Sequence, residues 1–221
     1  MRDDITSIPI SEVFEPRDGC PVCRLRNMLE ERSVTYITGA AMMEPDVRIE
    51  TNKVGFCRHH YGQMLEKSKK LTIALILKSH LSQIASDGVG NSNKIKKGEK
   101  RPESCFICNK LDRNMLHIVD NICLLWEKEK EFKNLYCEQP YICLNHCKDL
   151  VASADKISKK NRKEFIKVTE KLCEDYLVDL AGDLQHFTDM FDYRNNGEED
   201  WGNSKDSVER TVAFLTTREV D

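Results

Sequence analysis

From Phe165 to Phe191, apolar side chains recur every three or four residues: Phe165, Val168, Leu172, Tyr176, Leu180, Leu184, Phe187 and Phe191. A stripe of that period lines one face of an α-helix, so a long helix is expected near the C-terminus. Shorter stripes follow Cys23 (Leu25, Met28, Leu29, Tyr36, Ile37) and Cys108 (Leu111, Met115, Ile118, Ile122, Leu125, Trp126). A final helix is expected to start near Asp206, where Asp206 and Glu209 have the spacing of a capping box, and to bury Val208, Val212 and Leu215. Strand signals are weak, because alternation of period two is never sustained; short extended pieces are expected near Val47 to Ile49 and around Phe56. The expected fold class is all-α.

The hydrophobic pattern breaks over Ser86 to Ser104, a stretch rich in Gly, Asn, Lys and Ser. The expected organisation is a first helical unit over 1–86, a flexible linker over 87–104 and a second unit with the C-terminal helices over 105–221.

What the two halves share is a set of cysteines. The first carries Cys20-Pro-Val-Cys23 and Cys57-Arg-His-His60; the second carries Cys105-Phe-Ile-Cys108 and Cys143-Leu-Asn-His146. Corresponding positions are offset by 85, 85, 86 and 86 residues, which reads as a duplicated C-x-x-C…C-x-x-H unit. Gly55-Phe56 and Tyr141-Ile142 precede the third cysteine of each set, and each C-x-x-C opens a helical pattern.

Three thiolates and an imidazole complete a tetrahedral zinc shell. The expectation is therefore one closed Cys3His site per half: Cys20, Cys23, Cys57 and His60 in the first, Cys105, Cys108, Cys143 and His146 in the second. With all positions filled by protein, such sites are structural. His60 rather than His59 is assigned as the ligand because it matches His146. A redox dithiol at Cys20 and Cys23 would need a leading strand and would leave Cys57 and His60 without a role. An iron–sulfur cluster is the alternative cofactor. Cys123, Cys137, Cys147 and Cys173 have no counterparts and read as ordinary thiols, though Cys147 adjoins a ligand.

Composition then limits the setting. The 221 residues are 40% hydrophobic, with 34 basic against 37 acidic side chains, and this balance speaks against nucleic acid as a partner. The longest apolar run is Leu71 to Leu77, and the first residues show no signal-peptide pattern. A cytoplasmic protein without a membrane segment is expected, in a compartment where thiols stay reduced and ten cysteines read as ligands before disulfides.

Two further stretches carry charge or aromatic groups. Lys156, Lys160, Lys163, Lys167 and Lys171 share a helix face and read as its solvated side. Asp192, Tyr193, Arg194 and Trp201, in the break after the long helix, are candidates for binding a protein or small-molecule partner, or else for plugging the end of a bundle.

Taken in order, "CPVC", "EPDVRIETNKVGFCRHH", "CFIC", "YICLNH" and "FDYRNN…WGNSKDSVERTVAFL" resemble an uncharacterised bacterial family with paired C-P-x-C and C-x-x-H motifs and an F-D-Y-R…W-G terminus. Phe106 stands here where that family has proline. Some of its members carry the label "ABC transporter substrate-binding protein", which suits neither the N-terminus nor the helical pattern. The resemblance implies no activity. The leading expectation is a binding or regulatory module with two structural zinc ions and no catalytic residue. Alternatives are a thiol-based redox or metal sensor, and an enzyme or ligand binder using the Asp192 to Trp201 loop.

Overall fold

The computed structural model describes residues 10–67, 70–88, 105–192 and 200–216. Ten α-helices and two 3₁₀ turns account for the regular structure of these residues, and no strand is found among them. Among the described residues the chain divides into two compact units, one over Asn27–Met115 and the other over residues 10–26 and 116–216. The divisions fall inside two long helices, α2 (Pro21–Thr38) and α6 (Phe106–Lys128), so neither unit is a sequence half. Most of the expected linker, residues 89–104, lies outside the described residues. No helix among the described residues is long and apolar enough to cross a membrane.

The first unit holds most of α2, a 3₁₀ turn at Ala40–Met43, α3 (Pro45–Val54), α4 (Arg58–Lys67), α5 (Lys70–Asp87) and the start of α6. Val47 to Ile49, expected to be extended, are helical: Pro45 occupies the first turn of α3, where its missing N–H costs nothing. Gly55 ends α3 at φ +68°, and its N–H returns to the Thr51 carbonyl at 2.8 Å. His80 on α5 donates from Nδ1 to the Asn52 carbonyl at 2.7 Å, which lays its ring against Gly55. A Cβ at Gly55 would lie 2.7 Å from His80 Nε2, so both conformation and space require glycine there. Leu29, Val34, Ile37, Met64, Ile107 and Leu111 fill the interior.

The second unit contains α1 (Ile10–Phe14), the first turn of α2, the rest of α6, α7 (Lys130–Cys137), α8 (Leu144–Ala152), a 3₁₀ turn at Ser153–Lys156, α9 (Lys159–Asp189) and α10 (Ser207–Thr216). The expected long helix is α9, with Phe165 and Leu180 buried and Lys160, Lys163, Lys167 and Lys171 exposed; Lys156, expected on the same helix face, is exposed but lies in the preceding 3₁₀ turn. Phe14 packs edge-on to Phe132 at 5.0 Å and stacks on Tyr136 at 5.8 Å, while Trp126 meets Phe165 at 5.2 Å. The fully buried Tyr136 hydroxyl has a partner, Thr169 Oγ1 at 2.8 Å, and Gln139 Nε2 donates to the Phe14 carbonyl at 2.7 Å. These two contacts give the buried Tyr136 hydroxyl and the Gln139 amide nitrogen the partners that burial demands.

The last helix faces the other way from expectation. Val208, Val212 and Leu215 are 43%, 39% and 48% exposed, whereas Phe214 is 2% exposed and Ser207 is buried. Phe214 is the largest apolar group of α10, and it enters the aromatic stack of Tyr141 and Tyr176, whose rings lie 3.7 Å apart and nearly parallel. Arg210 fixes this rotation by pairing with Asp183 on α9 at 2.8 Å. Its Nε also takes the Asp206 carboxylate at 2.9 Å, the group expected to serve the capping box.

A candidate metal centre in each unit

Each of the four cysteine motifs sits at the start of a helix. Cys20, Cys57, Cys105 and Cys143 accept the first helical hydrogen bond through their carbonyls: from Arg24 N at 3.2 Å, Tyr61 N at 3.0 Å, Asn109 N at 3.0 Å and Cys147 N at 2.8 Å. Every motif therefore places a cysteine at the cap of a helix and its second candidate ligand, Cys23, His60, Cys108 or His146, three residues on. Side chains at those two positions both overhang the open end of the helix. Backbone N–H groups and the positive end of the dipole favour thiolates at that place.

Two such helix starts meet in each cluster. Cys20, Cys23, Cys143 and His146 gather in the second unit; Cys57, His60, Cys105 and Cys108 gather in the first. All eight residues expected to ligate metal are present, but the expected grouping of motifs within each sequence half is wrong. The C-x-x-C of each half joins the C-x-x-H of the other, in a nested order.

Helix lengths give the physical reason. The 15 residues of α2 beyond Cys23 carry the chain about 22 Å from it, whereas the 10 residues of α3 span only about 15 Å. The 23 residues of α6 run about 35 Å against about 12 Å for the 8 residues of α7. Local contacts then fix the nested pairs. Phe106 N donates to the Gly55 carbonyl at 3.0 Å and its ring packs on Phe56 at 6.2 Å, which joins the Cys105 and Cys57 motifs.

The donor atoms of each cluster lie within 4.8 Å of one another. In the Cys20 site, His146 Nδ1 is 3.9, 3.3 and 3.2 Å from the sulfurs of Cys20, Cys23 and Cys143, and Cys23 and Cys143 are 3.5 Å apart. In the Cys57 site, His60 Nδ1 is 3.2 Å from Cys57, 3.2 Å from Cys105 and 3.5 Å from Cys108, with Cys57 and Cys108 3.9 Å apart. Tetrahedral zinc with bonds of about 2.3 Å to sulfur and about 2.0 Å to nitrogen has sulfur–sulfur edges of about 3.8 Å and sulfur–nitrogen edges of about 3.5 Å. Both clusters fit a single ion of that size.

Their electrostatics are alike in form. Burial opposes ionisation of Cys20, but hydrogen bonds from Cys143, Cys23 and His146 prevail and hold its thiol well below the ordinary range. Those same contacts with Cys143 and Cys20, added to burial, push Cys23 far up. At Cys105, burial is outweighed by the His60 contact and by the N–H groups of Cys108 and Cys57, and its thiol falls to about 6. Cys108 is raised, by burial first and then by the charge of Cys105. His60 is buried, which works against its charge, yet Cys105 and Glu30 lift it to about 10. One sulfur in each cluster is thus held as the anion beside an imidazole, and the remaining protons are what a cation must displace.

The sequence pattern did not expose Glu30. It lies on α2, seven residues beyond Cys23, and its Oε1 is 2.8 Å from His60 Nε2 and 3.2 Å from His59 Nε2. No spacing rule connects a mid-helix glutamate to a motif 29 residues away; only the fold does. Among the other thiols, Cys123 and Cys147 are buried and point at the carbonyls of Leu150 and Thr169, and burial pushes each to about 12. Cys173 is buried and Cys137 exposed. Trp201 packs with Phe187 and Phe191 at 5.7 and 5.6 Å on the end of α9, and Asp192 follows that helix; Tyr193 and Arg194 lie outside the described residues.

The sequence model of DUF6062, a family of unknown function, matches residues 1–221. The chain belongs to this family. No curated protein and no solved structure matches it. In this member of DUF6062, each of the two Cys3His clusters could hold a metal ion.

Proposed function

We propose that each cluster binds one zinc ion as a closed structural site, and that the protein is a zinc-stabilised helical module of the cytoplasm that binds or regulates a partner. The observation carrying this reading is the convergence of three sulfurs and one imidazole nitrogen within 4.8 Å at two places. Soft thiolates with one imidazole select zinc or iron among the common cations. An iron–sulfur cluster distributes its four ligands over two or more irons and so spreads the whole set wider than the 4.8 Å within which these donors lie. A mononuclear ion is the better fit, and zinc, with four protein ligands and no open position, is a structural ion rather than a catalytic one.

Elemental analysis of the native full-length protein is the test. Two zinc ions per chain and a colourless solution support the reading. Protein that stays folded with no bound metal refutes it.

A sensor is the second reading, favoured by the partial exposure of Cys23, Cys57 and Cys108. Oxidant can reach these sulfurs, and a pair of thiolates oxidised to a disulfide would release its ion. Reversible, stoichiometric zinc release under mild peroxide separates this from a purely structural role.

A further inference from the structure

His60 presents its two ring nitrogens to two different groups. Nδ1 faces the sulfurs of Cys57, Cys105 and Cys108, while Nε2 lies 2.8 Å from the Glu30 carboxylate. The ring is 1% exposed and the Glu30 side chain 17%, so water is largely kept from this contact. An imidazole that binds a cation through Nδ1 must carry its remaining proton on Nε2, a buried atom with no other polar partner among the described residues, and a Glu30 carboxylate oxygen lies 2.8 Å from it.

We propose that Glu30 is a positioning residue for the Cys57 site: it fixes the tautomer and orientation of His60, so that zinc leaves this site more slowly than it leaves the same site without Glu30. The proposal rests on the zinc reading above. Accepting the Nε2 proton makes Nδ1 a stronger donor, and the rigid α2 backbone holds the carboxylate in place. His59 contributes from the outside. Its Nε2 meets the same Glu30 oxygen at 3.2 Å, and its ring packs edge-on to His60 at 5.2 Å. This gives His59, the first histidine of "CRHH", a purpose that its spacing does not reveal. Among the described residues, no carboxylate lies within ion-pair distance of His146, so the Cys20 site lacks this support and serves as the internal reference.

The test compares full-length wild type, Glu30→Gln and Glu30→Ala, each loaded with zinc and challenged with a chromogenic chelator. The expected result is that Glu30→Ala releases one of its two ions about 10- to 100-fold more readily while the other is unchanged. Glu30→Gln falls between, because its amide oxygen still accepts the Nε2 proton but without the charge. In parallel, nitrogen-15 spectra of the histidines show His60 as the Nε2–H tautomer in wild type, with that proton exchanging faster in Glu30→Ala. Release of both ions from Glu30→Ala at wild-type rates overturns the proposal, as does an equal weakening of both sites. It also fails if wild type binds a third ion that Glu30→Ala loses, since Glu30 and His59 would then hold a cation of their own. Wild type that binds no zinc refutes the zinc reading itself, before any variant is compared.

Discussion

The Cys20 site and the Cys57 site use the same donors in the same helical positions, yet they are supported by different means. A glycine at positive φ precedes each of these two motifs by one or two residues and aromatic rings pack at both, but behind the Cys57 motif stand Glu30 against His60 and the His80 ring packed on Gly55. Next to the Cys20 motif the support is a larger aromatic group. Tyr141 lies 3.9 Å from where a Cβ on Gly19 would be, and stacks on Tyr176, with Phe214 of α10 closing the group. A ligand set thus specifies the ion, whereas the surroundings decide how firmly each ligand is held.

That contrast can be broken most severely at the ligands. His60→Ala should lose one zinc and destabilise the first unit, and His146→Ala should lose one zinc and destabilise the second. Each loss is expected to cost several kcal/mol, since binding of structural zinc supplies folding free energy of about 10 kcal/mol or more. Metal content and hydrogen exchange resolved by segment would check both effects.

Smaller changes should separate the two supports. Phe214→Ala removes the buried end of the aromatic group and should cost about 3–5 kcal/mol. It should also hasten zinc loss from the Cys20 site alone. Gly55→Ala forces a Cβ into the His80 ring and a side chain into the left-handed region, and about 1–3 kcal/mol is expected from the backbone alone. Its effect on zinc retention should be confined to the Cys57 site, and adding His80→Ala should restore part of the loss. Thermal unfolding with site-resolved zinc release would read these out. A Phe214→Ala protein that loosens the Cys57 site instead would undo the distinction.

The least effect is expected at Val212, read from sequence as core. It is 39% exposed, so Val212→Lys should change stability by no more than about 0.5 kcal/mol in thermal unfolding, against the large cost at Phe214 two residues on. The sequence stripe of Val208, Val212 and Leu215 was a true helical period, but a period does not say which face is covered. Packing of Phe214 on Tyr176 and the Arg210–Asp183 pair outweigh it.

The same limit governed the metal centres. Motif spacing was enough to bring out the eight residues that gather in the two clusters, because the cap and the third helical position are set by local geometry. Which motifs meet is a long-range matter, decided by how far α2 and α6 carry the chain and by contacts such as Phe106 with Gly55. Helix lengths held part of the answer, since a helix of 18 residues cannot be retraced by one of 10. Glu30 lay beyond any spacing rule. The helical reading of α9 succeeded because its stripe is long and regular, while α3 was obscured by the brief alternation of Val47 and Ile49 about Arg48.

Zinc stoichiometry in two double variants tests the nested pairing most directly. Cys23→Ser with His146→Ala removes two donors from one site and should leave one zinc per chain. Cys23→Ser with His60→Ala damages both sites and should leave none. The opposite pattern, with one zinc kept by Cys23→Ser/His60→Ala and none by Cys23→Ser/His146→Ala, would mean that each sequence half closes its own site and would contradict the arrangement described here.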